Sequence, residues 1–304
     1  MARIYVTRAI VGEALSRLRA LHDVEVWPGP EPPPRAELLG AVADADGLLS
    51  TLTERIDAEL IEAAPRLRAI ANYGVGYDNI DIEAARARGI AVGNTPDVLT
   101  EATADLTFAL LLASARRLIE AQAAVPAGQW GTWEPTGWLG LDVHGTTLGV
   151  VGLGRIGQAV ARRAEGFAMT VLATRATPLD ELLERSDFVS LHCPLTPQTL
   201  HLIDASALAR MKPTAILVNT ARGGIVDQAA LVEALWAGQI AGAALDVTDP
   251  EPPRLGDPLR AAPNLIVLPH IGSATHTARA KMTGLAVENL IAALDGRPMP
   301  HAVV

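Results

Sequence analysis

Leu148 to Gly157 reads LGVVGLGRIG. A β-branched apolar run passes directly into Gly152-x-Gly154-x-x-Gly157 and then into a helical stretch, the order strand, phosphate-holding turn, helix. Gly152 permits the tight turn, Gly154 lets the backbone approach a pyrophosphate, and Gly157 lets the helix pack closely on its strand. Amides at the helix start then supply donors for an anion. Taken alone, the glycine pattern is equally a flexible loop. Its setting, an apolar strand before and a helix after, selects dinucleotide binding.

Downstream, strands are predicted at Thr170 to Ala173, Phe188 to Leu191, Ala215 to Asn219, Ala243 to Val247 and Leu265 to Leu268. With Leu148 to Val151 they make six strands joined by helical crossovers, which matches a doubly wound parallel α/β sheet. One crossover is well punctuated. Asp227 can cap it, Leu231, Val232, Leu235 and Trp236 form an apolar stripe, and Gly238 can end it.

Upstream, shorter runs at Ile4 to Val6, Val24 to Val26, Gly47 to Leu49, Leu67 to Ile70 and Ile90 to Val92 alternate with helices and imply a second, smaller parallel sheet. PGPEPPP, residues 28–34, is a surface loop because most of its residues lack an amide hydrogen. A long apolar helix is predicted over roughly Glu101 to Ile119, and QWGTWEPTGWLGL, residues 129–141, carries three of the five tryptophans in neither helix nor strand. A final helix, roughly Thr277 to Leu294, is expected to return to the first domain. The expected organisation is therefore a discontinuous substrate domain, 1–98 with 274–304, into which a nucleotide-binding domain, 99–273, is inserted.

The 304 residues are 49% hydrophobic and 19% charged, which excludes a disordered chain, and a net charge of -9 without a basic cluster excludes a polyanion-binding surface. Nucleic acid and acidic membranes are thus poor partners. The single cysteine, Cys193, excludes an internal disulfide and favours a reducing, cytoplasmic location. No export signal, membrane span or metal-ligand spacing is read.

An acidic residue that grips the ribose hydroxyls is expected about 20 residues beyond the glycine turn, at the end of the next strand. Arg175 stands there. It either pairs with a 2′-phosphate, which favours NADP over NAD, or is a solvated arginine at a strand end. Arg222 in VNTARGG, Glu251 in DVTDPEPP and His270 in VLPHIGSAT lie after predicted strands of the same domain, where open α/β sheets bind ligands. Each alone reads as a structural residue. Together they supply what reduction of a 2-oxo acid needs: a two-pronged cation for the carboxylate, a proton donor for the carbonyl oxygen, and a carboxylate partner for that donor.

VVGLGRIG, NTARGG, ALDVTDPEP and LPHIGSAT resemble the signature segments of the D-isomer-specific 2-hydroxyacid dehydrogenases, and the likeness spans essentially the whole chain. NYGVGYDNID, NTPDVLTEATADL and WEPTGWLGLD are most similar to the glyoxylate/hydroxypyruvate reductase branch. The resemblance implies a Rossmann domain inserted into a flavodoxin-like α/β domain, and NAD(P)H-dependent reduction of glyoxylate and hydroxypyruvate. It implies Arg222 as carboxylate clamp, Glu251 as partner of the histidine, and His270 as acid/base. It also implies substrate carboxylate on the amides of Val75 and Gly76, with Leu52 nearby. Around the cofactor it implies Gly152, Leu153, Gly154, Arg155, Ile156, Gly157 and Arg175, with Thr103, Pro194, Thr220, Asp246 and Gly272 toward the nicotinamide. A homodimer is implied too, with Trp138 serving either its own subunit's site or the partner's. Two departures stand out: the segment after Arg175 is short, and Asp105 stands where the family has glutamate. The same signature serves relatives that act on D-lactate, phosphoglycerate or phosphite, and nucleotide-sensing scaffolds of the corepressor type.

Overall fold

The computed structural model describes residues 1–304. They form two units, Met1–Leu99 with Ala274–Val304, and Thr100–Ser273. The first begins with β1 (Arg3–Val6), α1 (Ala14–Leu21), β2 (Asp23–Val26), α2 (Arg35–Val42), β3 (Gly47–Ser50), α3 (Ala58–Ala63), β4 (Ala69–Asn72), α4 (Ile82–Ala87) and β5 (Ala91–Gly93). The strands pair in parallel in the order β2-β1-β3-β4-β5. Central β3 and β4, GLLS and AIAN, are buried along their whole length, as strands covered on both faces must be. Asp57 and Asp81 cap α3 and α4 by accepting from the amides of Leu60 and Ala84. Strand β4 begins two residues later than the sequence predicts. Leu67 is spent in the turn before it, where its amide bonds the Ala64 carbonyl.

The second unit runs α5 (Thr100–Ala115), α6 (Leu118–Ala124), β6 (Thr147–Val151), α7 (Arg155–Glu165), β7 (Thr170–Ala173), α8 (Leu179–Arg185), β8 (Phe188–Leu191), α9 (Ala205–Arg210), β9 (Ile216–Asn219), α10 (Gln228–Trp236), β10 (Gly242–Leu245) and β11 (Leu265–Val267). Its sheet is also parallel, in the order β11-β10-β9-β8-β6-β7. The strand order reverses between β6 and β8, so the glycine turn after β6 opens at the switch point where such sheets bind ligands. Only β7 lies beyond β6, one strand fewer than the two-half dinucleotide-binding arrangement carries on that side. Alternate residues of each strand feed separate cores: Ile216 and Val218 pack with Phe108, Leu111, Val150 and Phe188, and Leu217 packs with Leu191, Leu231 and Leu245.

The single helix predicted over 101–119 is two. Leu141 donates to the Ala115 carbonyl at 2.8 Å, Gly140 lies so close that a Cβ there would sit 2.3 Å from the same oxygen, and Arg117 turns left-handed at φ 53°. The apolar repeat continues past the break, but Leu118 and Ile119 are more than half exposed. Trp236 likewise leaves the apolar stripe of α10: Leu231 and Leu235 are buried and Trp236 faces solvent. Gly238 ends that helix at φ 63°, and Asp227 caps its start.

The chain then returns to the first unit as α11 (His276–Leu294), which packs on β4, β3 and α1. Beyond it, residues 301–304 run antiparallel beside β5: Asn94 donates to His301, Val303 to Val92, and Val92 to Val304. That segment covers an otherwise open sheet edge. No helix is long and apolar enough to cross a membrane.

Candidate active site

In the second unit, strand β9 ends at Asn219, whose side chain locks the following turn. Its Nδ2 donates to the Arg222 carbonyl at 2.8 Å and its Oδ1 accepts from the Ala221 amide at 3.0 Å. Arg222 is half-buried, and its Nη1 donates to the Ala221 carbonyl at 2.8 Å, which fixes one edge of the guanidinium. Gly223 follows because nothing larger fits. A Cβ there would lie 2.1 Å from the Thr248 carbonyl carbon and oxygen, in the loop after β10.

Asp246, the residue after β10, is 1% exposed and organises the opposite side. Three consecutive amides converge on it: His270 donates to its main-chain carbonyl at 2.9 Å, and Ile271 and Gly272 donate to its two carboxylate oxygens at 2.7 Å each. Burial pushes this carboxyl above its ordinary value, against the pull of the Ile271 and Gly272 amides and of His270. The turn so held keeps His270 in the left-handed region at φ 54°, a conformation a non-glycine residue adopts only where its surroundings impose it. Its Nδ1 lies 2.6 Å from Glu251 Oε1, and both side chains remain partly open to solvent. With Nδ1 engaged by a carboxylate, Nε2 is the nitrogen left to exchange a proton.

The glycine turn fits a pyrophosphate. Gly152 stands at φ 96°, where a Cβ would be 2.5 Å from the Cys193 amide, and a Cβ on Gly157 would be 2.1 Å from the Gly152 carbonyl. Gly154 opens onto empty space, and α7 starts behind it without a side-chain cap. The helix N-terminus is therefore available to an anion. Thr174, at the end of β7, accepts from the Gly152 amide at 3.1 Å. Arg175 beside it is exposed. Thr107 meets Thr220 at 3.0 Å and bonds the Thr103 carbonyl, while Thr103 reaches the Gly272 carbonyl at 3.3 Å. Helix α5 thus ties the β9 and β11 loops together. Pro194 is exposed, its carbonyl accepting from Thr199 at 2.6 Å.

Beside Pro194, half-buried His192 places Nε2 2.8 Å from Ser190 Oγ. Burial pushes its pKa from 6.5 down to about 4. A folded value below the unfolded one means that stability is complete above pH 6.5 and is lost as pH falls through about 4. The full loss is at most about 3 kcal/mol, at about 1.4 kcal/mol per pKa unit. In thermal melts across this window, wild type should lose stability relative to His192→Gln as pH falls toward 4. Parallel profiles would remove His192 from the acid response.

In the first unit, Leu52 packs against Gly74, where a Cβ would come within 2.5 Å of Leu52 Cδ2. The carbonyls of Gly74, Val75 and Gly76 all accept hydrogen bonds, whereas the amides of Val75 and Gly76 meet no protein acceptor. Trp138 is 44% exposed at φ 57°, and the Arg117 guanidinium lies 5.8 Å from its ring centre.

Of the sequence-derived residues, Glu251 and His270 are in direct contact, and Arg222, Asp246 and Gly272 lie on the loops of neighbouring strands. Sequence reasoning missed Asn219 and Thr174, and it missed that Asp246 anchors the histidine turn. Asn219 was findable, because asparagine two residues before a turn amide is a common side-chain turn. The anchoring role of Asp246, itself named from the sequence, left no such signal, since 24 residues separate it from His270.

Residues 108–272 match the family model described as D-isomer specific 2-hydroxyacid dehydrogenase, NAD binding domain. The chain is 50% identical over 316 residues to a protein named glyoxylate reductase from Korarchaeum cryptofilum, covering 99% of this chain and 95% of that one. It is 50% identical over 319 residues to another of that name from Thermococcus gammatolerans, with the same coverage. Among solved structures, a Thermus thermophilus protein is 54% identical with a TM-score of 0.94, covering 99% of this chain and 100% of that one. An NADPH-dependent glyoxylate/hydroxypyruvate reductase from Sinorhizobium meliloti, in complex with NADP and malonate, is 36% identical with a TM-score of 0.88, covering 100% and 97%.

Proposed function

Because the chain belongs to the D-isomer-specific 2-hydroxyacid dehydrogenases, we propose that it reduces small 2-oxo acids, glyoxylate to glycolate and hydroxypyruvate to D-glycerate, with NADPH preferred to NADH. The observation that carries this reading is the 2.6 Å contact between His270 Nδ1 and Glu251 on a turn held by Asp246.

When bound, the nicotinamide cofactor supplies the hydride. Arg222 clamps the substrate carboxylate with two parallel hydrogen bonds and polarises the adjacent carbonyl. His270 delivers its Nε2 proton to the carbonyl oxygen, and the Glu251 carboxylate steadies the imidazolium from the other side. In the reverse direction the same nitrogen takes the proton back. In the first unit, we assign the amides of Val75 and Gly76 to the substrate carboxylate, with Leu52 beside them. Gly152 to Gly157 hold the pyrophosphate, and Thr103, Pro194, Thr220, Asp246 and Gly272 line the nicotinamide side.

The NADPH preference rests on Arg175, an exposed cation where an acid would otherwise accept from the ribose hydroxyls. Steady-state rates of four small 2-oxo acids against both cofactors test it. Arg175→Asp should shift the NADPH to NADH ratio of kcat/KM toward NADH by about tenfold or more, the loss of one charge-assisted contact. An unchanged ratio would remove Arg175 from cofactor selection.

The working unit in this reading is a homodimer. Its support is the apolar surface that α6 and residues 129–141 leave uncovered, including Trp130 at 66% and Trp133 at 80% exposure. A solution mass of one chain would contradict it. The lone free thiol, Cys193, suits a reducing cytoplasm.

A further inference from the structure

In a trans peptide the carbonyl of one residue and the amide hydrogen of the next point in opposite directions, so whatever pins the first aims the second. Three bonds pin the turn after β4. Thr95 donates its amide to the Gly74 carbonyl at 2.9 Å, Asn94 Nδ2 donates to Val75 at 2.8 Å, and Asn72 Nδ2 donates to Gly76 at 2.6 Å. The first two aim the Val75 and Gly76 amides away from the segment that follows β5.

Asn94 is held in turn from α11. Asn289, wholly buried, donates from Nδ2 to the Asn94 carbonyl at 2.9 Å and accepts at Oδ1 from the His301 amide at 3.0 Å. These partners fix which end of its side chain is which, since an amide hydrogen can only be given and a carbonyl can only receive. Room for it exists only because residue 93 is glycine. A Cβ there would stand 2.6 Å from Asn289 Nδ2 and 2.7 Å from Met299 Sδ. An asparagine in the buried face of a helix is otherwise unfavourable, both for helix formation and for burial.

We infer that Asn289 is a positioning residue for substrate, acting through Asn94 to aim the Val75 and Gly76 amides at the carboxylate. This rests on the proposed role of those two amides. Loss of Asn289 loosens Asn94, which lets the Val75–Gly76 peptide rotate and weakens carboxylate binding without touching the proton donor.

The test is Asn289→Ala, assayed with glyoxylate and NADPH. KM for glyoxylate is expected to rise about tenfold, the effect of one lost hydrogen bond to a charged ligand, while kcat and the Kd for NADPH stay within about twofold. Asn94→Ala should show the same split, and the double variant should be no worse than Asn94→Ala alone, because both residues act on one peptide. An unchanged KM in Asn289→Ala, or strictly additive effects, would overturn the inference. Should Asn289→Ala fail to fold, Asn289→Asp decides, since it keeps an acceptor for the His301 amide and removes the donor to the Asn94 carbonyl, and an unchanged KM there would equally overturn the inference. A wild type that turns over no 2-oxo acid refutes the proposed reaction separately. Calorimetric binding of oxalate then serves as the readout, and an equal Kd in wild type and variants would overturn the inference.

Discussion

His270→Ala is expected to lower kcat for a 2-oxo acid by about 10²- to 10⁴-fold, the span a positioned general acid contributes, while NADPH binds as in wild type. The expectation follows from how little else in the second unit is placed to serve. His192, the histidine directly after β8, is pushed down to about 4 by burial and is neutral at working pH. His270 is instead held by its neighbours. It stands on a turn whose three amides all go to Asp246, and its Nδ1 is engaged by Glu251. The alanine variant keeps the main-chain bond to Asp246, so the turn should survive and cofactor titration should be unaltered. Turnover within about threefold of wild type would refute the assigned role.

Arg222→Gln is the second large effect. Removing one partner of a desolvated charge pair costs about 2–4 kcal/mol, or roughly 30- to 1,000-fold in kcat/KM. Most of it should fall on KM, because the carboxylate is clamped before and during the reaction. Arg222→Lys should recover only part of the loss, since an ammonium cannot present two parallel donors. The turn itself should be indifferent to either change, because Asn219 bonds the main chain of residues 221 and 222 rather than the side chain. Full recovery by lysine would mean that Arg222 acts as a point charge and not as a fork.

These two residues, with Glu251 and the glycine turn, were legible in the sequence for a physical reason. Each follows an apolar strand, and the β6–α7 turn needs glycine at two places, Gly152 at φ 96° and Gly157 against a carbonyl. Both parallel sheets were legible as well, since doubly covered strands such as AIAN leave continuous apolar runs. The break at Arg117 was not. It depends on Leu141 capturing the Ala115 carbonyl from 26 residues away, while the apolar spacing runs on regardless. The strand order was equally hidden, because the sequence shows six strands without showing that β7 alone lies beyond β6. Asp246 illustrates the same limit at the site: a single buried carboxylate can organise a distant turn without leaving any local pattern.

The most direct test of the central claim is the oxidation of NADPH by the wild-type protein on addition of hydroxypyruvate, with the product's configuration determined. The predicted result is stoichiometric formation of D-glycerate, together with NADPH oxidation when glyoxylate replaces hydroxypyruvate. Formation of L-glycerate, or no oxidation of NADPH or NADH with either acid, would contradict it.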